Sequence, residues 1–377
     1  MSAFDQIGEA VWRKISGKGS SMRDKKEKTP KNASELELPN KVGIIYSDVK
    51  REYFPTESQY ITEKDADKDA SLIGEYLETL GISVFLYPGN EGLPRRLRKD
   101  HPELVINLAD SVKGDESLSS AIPGVLELLN IPYTGADILG MSLDTNKFLV
   151  KKLLQQNGIP VPHYQLLNSP SEYLDPTLRY PLISKLNAVH GAVEITSDAV
   201  SENEKHLRER LRYLISTYKQ PALVEEFIAG REITAILLEG MNKKVYLAER
   251  SFIHPDEKYS FTTFEDQWLL VGQVRFRYDR YYDAVLREYV KKAFDVTKMY
   301  DYGKFDVRLD QSGRYFFIDT NCNPAFGPKE LDVALSVILD LYGISFYEIL
   351  KRLLLNTVRD AAGKERLPMS VEEEDLE

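Results

Sequence analysis

Gly303-Lys304-Phe305-Asp306-Val307-Arg308-Leu309-Asp310, followed after Gln311-Ser312-Gly313-Arg314 by Phe316-Phe317-Ile318-Asp319-Thr320-Asn321-Cys322-Asn323-Pro324, is the stretch that decides the reading of this chain. Two runs of strand formers flank a Ser-Gly turn signal, so the segment reads as an antiparallel hairpin. With Ser312 and Gly313 as a tight two-residue turn, Asp306 falls opposite Asp319. Period-two alternation then puts Lys304, Asp306 and Arg308 on one face, together with Asp319 and Asn321 of the partner strand.

Like charges directly opposite each other destabilise a sheet, so the pair calls for a compensating cation. Two carboxylates and an amide oxygen suit Mg²⁺ or Mn²⁺, hard ions that keep phosphates and waters in their remaining positions. That points to a nucleoside triphosphate. A solvated hairpin with alternating polar residues accounts for the same stretch, and a one-residue slip would break the carboxylate pairing.

At 377 residues the chain exceeds what one hydrophobic core organises, so two or three domains are expected. A formal net charge of −10 argues against a nucleic-acid binder. No apolar run reaches membrane-span length, and Met1-Ser2-Ala3-Phe4-Asp5 lacks the basic-then-apolar order of a leader, so a cytoplasmic protein is expected. Cys322 is the sole cysteine, which excludes an internal disulfide and a cysteine-based zinc site. On the alternation above it points away from the carboxylates and reads as a small inert thiol.

Residues 1–40 read as a short amphipathic helix (Phe4, Ile7, Val11, Trp12, Ile15) and a polar linker, and 363–377 as an acidic tail. Residues 41–140 alternate strand and helix. Strands at Val42–Tyr46, Val84–Tyr87 and Leu104–Leu108, with an intervening helix around Leu72–Leu80, make an open parallel α/β sheet. Gly43-Ile44-Ile45-Tyr46-Ser47-Asp48 stands where a dinucleotide fingerprint would lie, so that motif is absent. Residues 141–240 start with a helix from Asp144 to Asn157, capped by Asp144. Strands at 181–185, 192–196, 222–228 and 232–238 follow, with a helix at 204–218 between the second and third, as an antiparallel α+β layer. Residues 241–362 hold a helix at 281–299, the hairpin, and helices at 329–342 and 345–361.

A triphosphate needs cations for its phosphates, an apolar slot for its base and a carboxylate for its ribose. Lys147 and Lys185 are candidates for the first role, although lone lysines commonly just solvate a surface. The connection Asn187–Ala192, carrying His190, could close over phosphates. In Val224-Glu225-Glu226-Phe227-Ile228-Ala229-Gly230-Arg231-Glu232, Glu225 is a candidate acceptor for the adenine amino group. The backbone at Glu226, Phe227 and Ile228 is placed to read the base edge, and Glu232 to bind the ribose hydroxyls. An edge strand with solvated carboxylates is the competing reading.

Ordered along the chain, Ile131-Pro132-Tyr133-Thr134-Gly135, Lys147 eleven residues before Gly158-Ile159-Pro160-Val161-Pro162, Lys185, Glu225 to Glu232, Asp306 and Asp319-Thr320-Asn321 resemble the D-alanine–D-alanine ligase branch of the ATP-grasp superfamily, over about residues 41 to 355. The resemblance implies an ATP-grasp fold of mixed α/β and α+β class, with an N-terminal parallel domain and two α+β subdomains clamping ATP. It implies Lys147 and Lys185 at the phosphates, Glu225 and the Phe227-Ile228 backbone at adenine, Glu232 at ribose, and Asp306, Asp319 and Asn321 around two Mg²⁺ ions. Lys304 stands where the family has a transition-state arginine. Lys258 lies in a long polar loop, 251–267, that corresponds to a lid over ATP. The implied activity is amide formation from a small-molecule carboxylate and an amine, such as amino acids or short peptides, through an acyl phosphate. A homodimer is implied by the resemblance alone.

The departures gather on the amino-acid side. Tyr46–Tyr53 and Asn107–Glu116 replace the family's glycine- and histidine-bearing segments, Ala325 replaces a glycine, and Lys329-Glu330 replaces a histidine and a serine. Glu330 would repel a second-substrate carboxylate, whereas Lys329 or Arg308 would attract one. Three functions compete: a ligase of this type with other amino-acid substrates, the D-alanine–D-alanine ligase of peptidoglycan synthesis, and a non-catalytic nucleotide-binding regulator.

Overall fold

Val42, Ile44 and Ile45 are fully buried in β1 (Lys41–Ser47), as expected of a strand covered on both faces. β1 pairs in parallel with β2 (Ser83–Gly89) and β3 (Leu104–Asn107), in the order β2-β1-β3. Parallel neighbours need a crossover. The helix Ala66–Glu78 supplies it between β1 and β2, burying Ala70, Ile73 and Leu77. The computed structural model describes residues 37–253, 259–269 and 276–363. The expected helix and linker up to residue 36, Lys258 and the acidic tail lie outside them.

Two antiparallel sheets follow. β4 (Tyr164–Leu167), β5 (Leu182–Leu186), β6 (Val200–Ser201) and β7 (Ala222–Glu226) form one in the order β4-β7-β5-β6. β8 (Gly230–Glu239), β9 (Lys243–Phe252), β10 (Phe276–Tyr281), β11 (Tyr302–Asp310) and β12 (Tyr315–Asn321) form the other, ordered β10-β9-β8-β11-β12. The sheets therefore change over at residues 227–229, inside the Glu225–Glu232 segment, and not near residue 240. Ile236 and Leu238 of β8 share a core with Ile44, Ile73 and the C-terminal helix residues Leu350 and Leu353.

Several expected elements differ. Asp144 ends a helix, Ile138–Asp144. The next one, Lys147–Gln156, is capped by Asn146, whose side chain accepts from Leu149 N at 3.1 Å. Asp144 instead accepts from Cys322 N, 3.1 Å away. The helix expected from 281 begins at Ala284 because Asp283 caps it, and Tyr281 closes β10. The one expected at 329–342 is split: a 3-10 turn, Lys329–Leu331, ends at left-handed Asp332, and a helix spans Ala334–Leu341.

Residues 192–196 form turns and not a strand, with Ala192 and Glu194 at φ +54° and +64°. β-branched residues favour a strand here, but a buried carboxylate overrides them. Glu194 accepts from Arg210 Nη2 at 3.2 Å, Tyr213 OH at 3.0 Å and Tyr218 OH at 2.7 Å. Glu194→Ala would strand the buried Arg210 guanidinium. A loss of about 3–5 kcal/mol is expected in urea denaturation; a loss below about 1 kcal/mol would show that this network does not set the turn.

Candidate functional site

The hairpin sets Asp306 opposite Asp319 and Lys304 opposite Asn321, as alternation predicts. The turn does not. Asp310 N donates to Arg314 O at 3.0 Å, closing a three-residue loop, Gln311 to Gly313, with Gly313 at φ +79°. That register alone would face Asp306 with Ile318. A β-bulge leaves Ile318 unpaired and moves Asp319 into place.

The bulge also aims carbonyls at the neighbouring sheet. Lys151 Nζ donates to Phe317 O and Ile318 O at 3.1 and 3.2 Å, and Lys185 Nζ to Ile318 O at 3.1 Å. Both ammonium groups converge on buried Glu225, at 2.7 Å from Lys151 and 2.9 Å from Lys185. Burial pushes the Glu225 carboxyl up, but the two lysines outweigh it and hold it below the usual range. Lys151 escaped the sequence reading. Its signal was the i+4 spacing from Lys147 on one helix face.

Lys147 Nζ donates to Val189 O at 2.9 Å and stands 3.9 Å from Asp319 Oδ1. The His190 segment packs onto it: Glu116 accepts from His190 N at 3.0 Å and contacts Nδ1 at 2.7 Å. Asp306 accepts from Thr234 Oγ1 at 2.9 Å and pairs with Lys304 Nζ. Burial pushes Asp319 up, yet Lys147, His190, Lys185 and Lys304 together hold its carboxyl at about 2. Asp319 is thus an anion at neutral pH, one-third exposed to the cleft.

Lys147, Lys185, His190, Glu225, Glu226, Phe227, Ile228, Glu232, Asp306, Arg308 and Asp319 line one cleft. Ile183, Phe227 and Phe261 give it an apolar wall. Lys304 and Asn321 sit on the same hairpin face. Lys258 lies outside the described residues. Asp306, Asp319 and Asn321 offer the oxygen donors that Mg²⁺ prefers. Among the described residues no three His, Cys, Asp or Glu side chains form a metal cage, so an ion held here would complete its shell with phosphate and water oxygens.

Arg308 stands on the expected face of the hairpin. Its guanidinium binds Glu232 Oε2 (3.1 Å), Ile228 O (2.9 Å) and Ser260 O (2.9 Å), and lies 5.2 Å from the Phe227 ring centre. This is the apolar-slot end of the cleft. Lys329 pairs with Asp340 at the exposed surface, and Glu330 accepts from Tyr76 OH at 3.1 Å. Arg308 is thus engaged by Glu232 and two carbonyls, and Lys329 by Asp340.

A family model for the C-terminus of D-ala D-ala ligases matches residues 153–355, more than half of the chain. The chain belongs to the D-alanine–D-alanine ligase family. A D-alanine–D-alanine ligase B of Pseudomonas putida is 25% identical over 306 residues, 78% of this chain and 91% of that protein. An uncharacterised Sinorhizobium fredii protein, y4sG, is 28% identical over 260 residues, 66% of this chain and 76% of its own. The Bacillus anthracis D-alanine–D-alanine ligase complexed with ATP shares the fold, with TM-score 0.65 at 18% identity, covering 86% of this chain and 99% of that one. The chain is therefore an ATP-grasp protein of the carbon–nitrogen ligase class. Among the described residues no helix is long and apolar enough to cross a membrane.

In this D-alanine–D-alanine ligase-like chain Ser47, Ser111 and Glu116, from segments that depart from the family, are buried close to Glu63. Ser47 Oγ accepts from Asp110 N and Ser111 N at 3.0 and 3.2 Å, tying the ends of β1 and β3 together. Ser111 Oγ donates to buried Glu63 at 2.7 Å. Burial and neighbouring Glu116 raise the Glu63 carboxyl to about 7, against the Ser111 hydrogen bond. Below about pH 4.5 this group is neutral whether folded or unfolded. As pH rises through 7 the unfolded chain ionises more readily, and stability falls by up to about 3 kcal/mol. Glu63→Gln should match the wild type in urea at pH 4.5 and exceed it at pH 8. Equal stability at both pH values would contradict this placement.

Proposed function

We propose that this protein is an ATP-dependent carboxylate–amine ligase of D-alanine–D-alanine ligase type. The observation that carries the reading is one cleft in which Lys147 and Lys185 face the opposed Asp306 and Asp319, beside the Phe227–Phe261 wall. Phosphoryl transfer needs charge neutralisation and alignment more than a nucleophilic side chain, and this cleft supplies both. Bound Mg²⁺ or Mn²⁺, held by Asp306, Asp319 and Asn321, would neutralise the polyphosphate.

In the proposed reaction a substrate carboxylate oxygen attacks the γ-phosphorus and ADP leaves. The amine then attacks the acyl carbon, phosphate leaves with the carboxylate's oxygen, and the amine gives up a proton. Lys147 and Lys185 neutralise phosphate charge while His190 and its Glu116-anchored segment cover it. Lys304, beside Asp306, stabilises the transferred group as a point charge without an arginine's fork. The Phe227–Ile228 backbone reads the base edge. Exclusion of water by the lid protects the acyl phosphate.

The substrates are amino acids or short peptides in a cytoplasmic setting. The names of the relatives favour D-alanyl-D-alanine as the product, while the departures at Tyr46–Tyr53 and Asn107–Glu116 favour a different acid partner. A purely regulatory nucleotide binder would have no use for both carboxylates and both lysines.

ADP release with Mg²⁺ and ATP, across D- and L-amino acids singly and in pairs, tests the reading. Release should depend on an amino acid and fall by about 10²-fold or more in Asp306→Asn. Wild-type turnover by Asp306→Asn would remove the hairpin from the mechanism. Absence of stimulation by the whole panel would place the acid substrate outside simple amino acids.

A further inference from the structure

Asp319 faces the cleft because of the bulge. Without it the register set by Val307 and Phe317 would continue, Asp306 would stand opposite Ile318, and Asp319 would stand opposite Phe305. A slip of one residue sends a side chain to the other face of a sheet. On that face Phe305 and Phe317 are buried in an apolar core, and the carboxylate would be lost to any ligand in the cleft.

The bulge is held from one helix. Lys151, 3% exposed on the helix Lys147–Gln156, donates to Phe317 O at 3.1 Å and Ile318 O at 3.2 Å and meets Glu225 Oε1 at 2.7 Å. Those acceptors match the three donors of an ammonium group. Ile318 is the residue that the bulge leaves unpaired, so Lys151 binds where the strand ladder is interrupted. Just past the helix, Pro160 O accepts from Phe317 N at 2.9 Å. One turn before Lys151, Lys147 Nζ stands 3.9 Å from Asp319 Oδ1. Lys147 acts on the carboxylate, and Lys151 on the backbone that aims it. Lys151 does not line the cleft, so it reaches a ligand only through the groups it holds.

We propose that Lys151 is a positioning residue for the metal: by pinning the Phe317 and Ile318 carbonyls it keeps the Asp319 carboxylate opposite Asp306. The proposal rests on the metal and nucleotide reading above and adds to it a residue that no ligand touches. With Lys151 gone, the backbone between Ile318 and Asp319 is free to turn, and the carboxylate swings with it. Groups that hold a metal ligand in place are typically worth about 10- to 100-fold in metal affinity.

Titration calorimetry of the full chain with a non-hydrolysable ATP analogue, in Mg²⁺ and in a chelator, reads this as the gain in affinity that the metal gives. Lys151→Met should lose about 10-fold or more of the wild-type gain while its metal-free affinity stays within about threefold. Lys151→Arg, which keeps the charge and the donors, should keep the gain within about threefold. A residue that merely holds the fold together would lower stability in urea and leave the gain intact, so a folded Lys151→Met with the full gain overturns the proposal. An equal fall in the chelator overturns it too, because the effect would then lie at Glu225 and the base slot. If Lys151→Met does not fold, Lys151→Gln decides. One bond shorter, with two donors for three acceptors, it should lose about threefold or more of the gain, and a full gain there overturns the proposal. Analogue binding by the wild type with no gain from Mg²⁺ overturns the proposal together with the metal site and leaves the nucleotide site standing; no binding at all overturns the nucleotide reading as well.

Discussion

Two lysines on one buried carboxylate hold the cleft together. Lys151 and Lys185 meet at Glu225 and also donate to the carbonyls of the Phe317–Ile318 bulge. An ion cluster this deep is weak evidence of net stability, since desolvation offsets much of the attraction. Its effect is geometric. It fixes the hairpin strand to the sheet that carries Lys185, so the bulge that brings Asp319 opposite Asp306 cannot shift without stranding an ammonium group.

The other charges are ordered by the five-stranded sheet. One row across β9, β8 and β11 reads Arg250, Glu232, Arg308; the next row on that face holds Thr234, Asp306 and Asp319; the one after holds Ile236, Lys304 and Asn321. Strand alternation therefore grades the face from a self-neutralised end near the Phe227–Phe261 wall to an acidic middle and a Lys304 end. Lys147 reaches that acidic middle from the start of its helix, and Asp319 is held ionised as a result. The gradient suits a ligand with an apolar head and a polyanionic tail whose charge is carried by metal and lysine together.

Much of this was legible before any coordinates. Alternation alone found the Asp306–Asp319 face, and the order of motifs from Lys147 to Asn321 found the family. The turn expected at Ser312-Gly313 was wrong, yet the carboxylate pairing was right, because the longer loop and the bulge at Ile318 displace the register in opposite senses. Bulges leave no reliable mark in composition. Residues 192–196 misled through β-branched propensity, which lost to the buried Glu194 contacts. Lys151 was missed because its role arises from partners on other strands. Arg308 was placed on the correct face, while its bonds to Glu232 and to the Ile228 and Ser260 carbonyls depend on segments that alternation does not relate.

The central claim is that the bulged hairpin carries the metal of a nucleotide site. Crystals grown with Mn²⁺ and a non-hydrolysable ATP analogue test it through anomalous scattering at the manganese edge. The account predicts a peak within coordination distance of the Asp306 and Asp319 carboxylates, with the triphosphate running from there past Lys147 and Lys185 to the Phe227 wall. Nucleotide bound in the cleft with no peak at the hairpin, or a peak held by other residues, would contradict it.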